Sequence, residues 1–463
     1  MERMSGEDAT FIHLERHGEV CHTLKVVVLD PSERGAPVGL DELRAVLQEF
    51  LPLYPRARQR VVFAPGFRGL PFWVDDPAFD LDLHVSERVL PAPGGRRELD
   101  EVCSWLASSR LDLTRPLWDA TLVHGLEGGE QAVVFRVHHA VTDGMGVVRL
   151  LDRVTTDRPG PPEPPPVDRW DPSPLPSGSE LTKAAIRGLP HTFGLARDLL
   201  SDEWHHRRAI AAELKAFRER DDLYTNTLSV PYTWLNPRFG SRRLCATGSL
   251  PLAEFRQVKE AAGTTMSNVL MAVLAGALRA ESEERGRDLD VDLVAGLGMA
   301  VEGSGSGRMW GNSLTNLFVS LHTTEPDPLE RLRKIDRSFS DTVALKRAAT
   351  AGRSANAADV GTRLGPTLAK LLAYHVARSA AHLSAGSVPG PATVRWVGGV
   401  RISDFYSFAV VVVNAGMNVT SYRYGNSMNV GVLVAPEVHR RPDVFVARMV
   451  ESMEELGKAT AGV

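Results

Sequence analysis

Ten residues constrain the folding of this chain more than any others. Asp157 to Pro166 contain six prolines, and the proline-bearing run continues to about Ser179. Proline fixes φ and lacks a backbone N–H, so a stretch this dense is excluded from helices and from the middle of a sheet. It is expected to run as an extended linker. With 463 residues the chain also exceeds one ordinary hydrophobic core. The sequence therefore divides into an N-terminal segment, 1–156, the linker, 157–179, linking helices rich in Arg, Glu and Ala over 180–222, and a C-terminal segment, 223–463.

Hydrophobic periodicity supplies the elements on either side. In the first segment Val26–Leu29 and Phe79–Val85 are expected as strands, and Leu40–Phe50 and Leu99–Ser108 as helices. In the second, helices are expected over Leu252–Ala262, Ser267–Glu281, Pro328–Arg347 and Arg441–Leu456, with strands near 290–300, 314–321, 407–413 and 428–434. Interleaved elements of both types imply α/β layers. The longest apolar runs, Val269–Leu278 and Phe408–Val413, are too short to span a bilayer, which takes about 20 residues. They are expected as a buried helix and a buried strand. The N-terminus has no apolar core of a signal peptide. The Gly303–Gly307 run of Gly and Ser is expected as a loop.

Apolar content of 43% and charged content of 24% are those of a globular protein, and a net charge of −4 exerts no general pull toward nucleic acid. Cys21, Cys103 and Cys245 share no metal-ligand spacing and form no disulfide framework, which points to a reducing, cytoplasmic setting. Any membrane contact is expected to be peripheral.

The chemistry concentrates at one turn. Ala132 to Val137 alternate as a half-buried strand, and Val147, Val148, Leu150, Leu151 and Val154 recur at helical spacing. Between them lies His138-His139-Ala140-Val141-Thr142-Asp143-Gly144. Histidine is the side chain best poised to accept a proton near neutral pH, and a strand-to-helix turn can present it to a cleft. A second pair, His205-His206, stands in the charged run Trp204–Arg208 without a following Asp-Gly and is expected on a solvated helix face.

The pattern His138-His139-x-x-x-Asp143-Gly144 resembles the active-site signature of the CoA-dependent acyltransferases, which include chloramphenicol acetyltransferase, condensation domains and the wax ester synthase/diacylglycerol acyltransferases. Further segments resemble this last branch: Pro116-Leu117-Trp118-Asp119 with Gly125-Leu126, the run from Trp73-Val74-Asp75-Asp76 to Val85, Asn236 to Arg243, Gly311-Asn312, and Val388-Pro389-Gly390-Pro391. The resemblance covers nearly the whole chain. It implies two chloramphenicol-acetyltransferase-like subdomains, each a mixed sheet with helices, and an acyl-CoA-dependent O-acyltransferase esterifying a long-chain alcohol or diacylglycerol.

The resemblance also assigns roles. His139, the second of the pair, is the expected general base, with His138 beside it. Asp143 either orients the base or forms a structural ion pair with a distant Arg. Gly144 is expected to leave the backbone room to turn. Ser267 and Asn268 are candidates for the oxyanion or acceptor side, against a role in helix capping. Pro116, Leu117 and Trp118 are candidates for the substrate channel. Acyl-CoA enters as co-substrate, with no cofactor and no metal. Asp80, Asp82 and His84 would share a strand face, but the family needs no metal there. The chain has no Gly-x-Ser-x-Gly elbow and no cysteine near the motif, which fits direct transfer without an acyl-enzyme. Gly144-x-Gly146 lacks the third glycine of a dinucleotide fingerprint.

Some positions depart from the branch. Ser267-Asn268 replaces its usual Asn-Asp, Gly386-Ser387 its Ser-Asn, and Val301-Glu302 its Val-Arg, while Ser421 to Gly425 stretches its Ser-Tyr-x-Gly element. These positions belong to the acceptor side in the family. A polyketide, sugar or amine acceptor, or a non-catalytic lipid-binding role, therefore stays open beside the lipid-ester reading. The intact histidine motif argues against the last of these.

Overall fold

A computed structural model describes residues 1–16, 19–66, 69–160, 167–198, 200–201, 215, 230–300, 309–312, 314–350, 363, 381–391, 393–411 and 414–461. The first segment runs β1 (Glu2–Arg3), α1 (Gly6–Arg16), β2 (His22–Asp30), α2 (Leu40–Phe50), β3 (Gln59–Val62), β4 (Phe72–Asp75), β5 (Val85–Val89), α3 (Arg96–Ser108), β6 (Trp118–His124), β7 (Gln131–His138) and α4 (Gly144–Val154). The rest runs α5 (Gly178–Arg187), β8 (Leu244–Pro251), α6 (Leu252–Ala262), α7 (Met266–Arg285), β9 (Val294–Ala300), β10 (Leu314–Ser320) and α8 (Pro328–Thr350). It closes with β11 (Leu383–Val388), β12 (Trp396–Val397), β13 (Val400–Phe408), β14 (Met417–Tyr424), β15 (Ser427–Val434) and α9 (Pro442–Thr460).

Two mixed six-stranded sheets organise these elements, in the orders β12-β13-β2-β7-β6-β5 and β10-β9-β11-β14-β15-β8, beside a small three-stranded sheet, β1-β4-β3. In the first only β5 and β6 run parallel; in the second β11 runs parallel to both β9 and β14. The fold is therefore α/β with two sheet-bearing halves, as expected. The sheets do not respect the boundary at residue 156, however. β13 pairs antiparallel with β2 from Arg401↔Asp30 to Phe408↔Leu24. Without it β2 would be an open edge with unpaired backbone groups, so the second half completes the first half's sheet.

Two expected strands move. The stretch 79–85 is a turn and a short 3-10 helix, Leu81–Leu83, started by Asp80, whose carboxylate accepts from Asp82 N. Local hydrogen bonding of this kind competes with strand formation. The strand expected at 407–413 is found as Val400–Phe408; 409–411 are irregular, and 412–413 lie outside the described residues. Its polar residues Asp404 and Ser407, and a register shift between Ile402 and Asp404, hide it from a hydrophobic pattern. Val269–Leu278 is buried on α7 as expected. Residues 167–176 are irregular, and Arg58 holds this stretch by an ion pair to Asp168, 2.7 Å, and by lying over Trp170, 4.6 Å from the ring. The Gly303–Gly307 run, Val301-Glu302, His205-His206 and most of 202–222 lie outside the described residues.

The halves are also joined along β8, an edge strand of the second sheet. Ser108 Oγ accepts from Arg243 N, Ser104 Oγ from Cys245 N (each 2.8 Å), and Asp100 from Thr247 N at 3.1 Å and Thr247 Oγ1 at 2.9 Å. The geometry follows from the two periods. Four residues of helix advance about 6 Å, and two of strand about 6.6 Å, so one face of α3 meets alternate N–H groups of β8. The face caps donors that would otherwise be an aggregation-prone edge.

Burial pushes the Asp100 carboxyl up to about 7, against the hydrogen bonds from Thr247. A carboxyl whose folded value is raised favours folding while protonated, and that contribution is lost as pH rises from about 4 through about 7. Asp100→Asn is expected to gain stability relative to wild type across that window, by up to a few kcal/mol. Thermal melts of both proteins at pH 5 and pH 8 check this; a difference that does not change with pH refutes it.

Candidate active site

β7 ends at His138 and α4 begins at Gly144, so the histidine motif is the turn between them. The turn is tied to its neighbours by backbone bonds, from His138 N to Leu117 O at 3.0 Å and from His139 N to Cys21 O at 2.8 Å. Asp143 caps α4, its carboxylate accepting from Gly146 N at 2.8 Å.

His138 is fully buried. Its Nδ1 accepts from Ala140 N at 3.0 Å, which leaves the ring proton on Nε2, and Nε2 donates to Glu15 at 2.9 Å. Both ring nitrogens are thus engaged. His139 differs. Its ring stacks on Phe11, centroids 4.3 Å apart and planes 21° from parallel, and its Nδ1 is buried with no hydrogen-bond partner among the described residues. Burial, then the charge of Lys25, then His138 push its pKa down to about 4, while Asp143 and the Asn312 side chain push the other way. His139 is therefore neutral, a proton acceptor, at physiological pH.

Three side chains of α1 serve this turn. Glu15 holds His138 and also accepts from Cys21 N at 3.1 Å; Phe11 supports the His139 ring; Asp8 accepts from both the backbone N (2.9 Å) and Nδ2 (2.7 Å) of Asn312. Asn312 Nδ2 also donates to His139 O at 2.7 Å. Asp8, Phe11 and Glu15 stand at i, i+3 and i+7, one helical face. Phe11 and Glu15 belong to no sequence motif; their spacing from Asp8 on one face of an N-terminal helix is the signal that marks them.

Residues 309–312, from the second half, close over the turn. Gly311 N donates to Val141 O at 2.7 Å, and Thr142 Oγ1 to Met309 O at 3.0 Å. This approach needs a glycine at 146, where a Cβ would overlap Thr142 Oγ1 and sit 2.8 Å from Met309 O. At Gly144 a Cβ would make only an ordinary 3.6 Å contact with Val388. The requirement for glycine thus falls two residues later than the motif suggests.

An apolar slot of roughly 1290 Å³, counting its open mouth, starts at this turn. Its floor is the alternate residues Lys25, Val27 and Leu29 of β2 and Val133, Phe135 and Val137 of β7; α2 and α4 form its walls, through residues such as Leu43, Val46, Leu150 and Leu151. From Val147 to Val154 the slot follows about 10 Å of α4 at the helical rise. Of the three channel candidates Trp118 lines it, with Nε1 donating to Ala57 O at 2.8 Å and the ring stacked on His84. Leu117 and Pro116 are buried outside the lining. Asn268 lies in the second half, its amide donating to Asp336 at 2.7 Å and Thr264 at 3.3 Å, and Thr265 rather than Ser267 or Asn268 caps α7. Among the described residues no cluster of three or more His, Cys, Asp or Glu is placed to hold a metal.

The fold is thus two mixed six-stranded sheets, with a buried, neutral histidine in the turn whose Val141 and Thr142 line an apolar slot. The first condensation domain of the calcium-dependent antibiotic synthetase shares this fold at a TM-score of 0.60 and 15% identity, over 98% of this chain and 96% of that one. The chain belongs to the wax ester synthase/diacylglycerol acyltransferase family: the family's catalytic domain matches residues 4–270 and its C-terminal domain residues 310–457. It is an acyltransferase of the kind that acylates lipid acceptors from acyl-CoA. A Mycobacterium tuberculosis protein named, provisionally, as a diacylglycerol O-acyltransferase is 31% identical over 98% of this chain and 97% of its own length. Another from that organism, named the same way, is 28% identical over 99% and 96%. The wax ester synthase/diacylglycerol acyltransferase of Marinobacter aquaeolei VT8 superposes with a TM-score of 0.66 at 23% identity, covering 99% of this chain and 100% of that one.

Gly146→Ala is expected to lose at least about tenfold in activity and 1–3 kcal/mol of stability by overpacking the turn, whereas Gly144→Ala stays near wild type. Paired melting curves and rates separate the two; equal tolerance at both positions would refute the steric argument.

Proposed function

We propose that the protein transfers a long acyl chain from acyl-CoA to a lipid hydroxyl, a long-chain alcohol or diacylglycerol, with His139 as general base. The observation that carries this reading is the neutral His139 ring, its Nδ1 without a partner among the described residues, in the turn whose Val141 and Thr142 line a slot walled almost entirely by hydrocarbon. The acyl chain occupies the slot and brings its thioester carbonyl to the turn. Burying such a chain is worth about 0.8 kcal/mol per CH₂, so the slot provides much of the affinity for the donor. His139 takes the proton of the acceptor hydroxyl as its oxygen attacks the carbonyl carbon. The C–S bond then breaks, and the proton passes to the CoA thiolate. His138 and Glu15 act as positioning residues that hold the turn.

The setting we propose is cytoplasmic and peripheral to a membrane or lipid-droplet surface. Ile186 and Phe193 are exposed one turn apart from Leu189, among Lys183, Arg187 and Arg197, an arrangement suited to a lipid interface. No single helix among the described residues is long and apolar enough to cross a bilayer.

His139→Ala is expected to lower acceptor-dependent ester formation from palmitoyl-CoA by roughly two to four orders of magnitude. The acid limb of kcat/KM for wild type should lie well below the ordinary histidine range, near the depressed value of His139. Product analysis by mass spectrometry across alcohol, diacylglycerol and amine acceptors reads out both rate and acceptor class. An unaltered rate in the variant would falsify the base assignment. Val46→Trp, which fills the far end of the slot, is expected to shift donor preference toward short acyl chains while short-chain turnover persists. A competition assay with mixed acyl-CoAs measures that shift.

A further inference from the structure

Lys25 is the one cation among the described residues lining the slot, and nothing in the sequence pattern marks it. It lies mid-strand on β2 and is only 6% exposed. Its Nζ donates to Ser407 Oγ at 2.7 Å, its cross-strand neighbour on β13. An ammonium has three donors, and this single hydroxyl engages one. A buried charge so sparsely compensated costs several kcal/mol, and Val27 and Leu29 show that the same wall of the slot is otherwise built of hydrocarbon. The other charged residue of the lining, Glu42, pairs with Arg34 beyond the opposite end of β2.

Position gives the charge a purpose. Of the three β2 residues on the slot floor, Lys25 is nearest the histidine turn, because β2 begins beside His138 in the register His22↔His138. Its field also reaches His139. An acyl chain lying along the slot would therefore end, at its carbonyl, between Lys25 and His139. Burial lowers the ammonium to about 8, so it remains charged at neutral pH.

Building on the acyl-transfer reading above, we infer that Lys25 is a catalytic residue that hydrogen-bonds the thioester carbonyl oxygen and stabilises the oxyanion formed as the acceptor attacks. No proton leaves Lys25. The carbon–oxygen bond forms and the C–S bond breaks, while the hydroxyl proton moves to His139 and then to the thiolate. A charged donor preorganised in a water-poor site is worth far more than the same donor in water. This assignment also fits the commitment of Asn268 to Asp336 and Thr264.

The test measures ester formation from palmitoyl-CoA with hexadecanol and with dipalmitoylglycerol, for wild type, Lys25→Met, Lys25→Ala and His139→Ala. Lys25→Met is expected to lower kcat by roughly a hundred- to a thousandfold, with KM for palmitoyl-CoA changed less than about threefold. Its melting temperature should hold or rise, since an apolar side chain replaces a buried charge. Methylammonium or ethylammonium should restore part of the kcat of Lys25→Ala by occupying the vacated space, and that readout stands even if Lys25→Met folds poorly. The acid limb of kcat/KM in the Lys25 variants should move up as the field on His139 is removed. A Lys25→Met enzyme with near wild-type kcat, a loss confined to KM, or the absence of amine rescue overturns the inference. Full activity in His139→Ala would instead overturn the reading on which it rests.

Discussion

The hold of α1 on the histidine turn is the constraint on which the rest of the site depends. A turn between a strand and a helix has few backbone bonds of its own, and this one borrows them. Glu15 fixes the His138 ring, Ala140 fixes its tautomer, and Asp8 anchors Asn312, which in turn holds the His139 carbonyl. These groups are buried, so each must be paired or carry a desolvation cost of about 1–3 kcal/mol. The network has few ways to be satisfied, which gives the His139 ring one position.

Burial sets the electrostatics of this position. The water exclusion that makes the slot a good receptor for hydrocarbon also disfavours charge at His139 and, less completely, at Lys25. The result is a neutral imidazole within the field of a retained cation, which suits the proposed reaction, in which a proton leaves one oxygen and negative charge builds on another. In water the two groups would both be ordinary and largely uncoupled.

The joint between the halves is equally physical. β13 closes the edge of β2, and the Asp100, Ser104 and Ser108 face of α3 closes the edge of β8. Segment 309–312 then reaches back over the turn. Each half supplies backbone partners that the other lacks, so the site is assembled only when both have folded.

Much of this was legible in residue order. The strand, the paired histidines and the helix were visible because period-2 and period-3.6 patterns meet at 138–144, and α2 and α6 matched their apolar periodicity to the residue. The family likeness came from short local runs such as Pro116-Leu117-Trp118. What stayed hidden was long-range. Lys25 sits in an apolar strand like any other alternate residue, and only the slot between α2 and α4 shows that it lines an apolar cavity. Glu15 and Asn312 are 123 and 173 residues from the histidines they hold. The demand for glycine at 146 rather than 144 comes from Met309, a residue of the other half. Sequence by itself determined the layered α/β architecture and the chemical identity of the turn, because local periodicity and motif spacing are written in consecutive residues. Only the tertiary structure decided which ring is free to accept a proton and which charge faces it, because burial and hydrogen-bond partnership are properties of neighbours that the chain brings together from a distance.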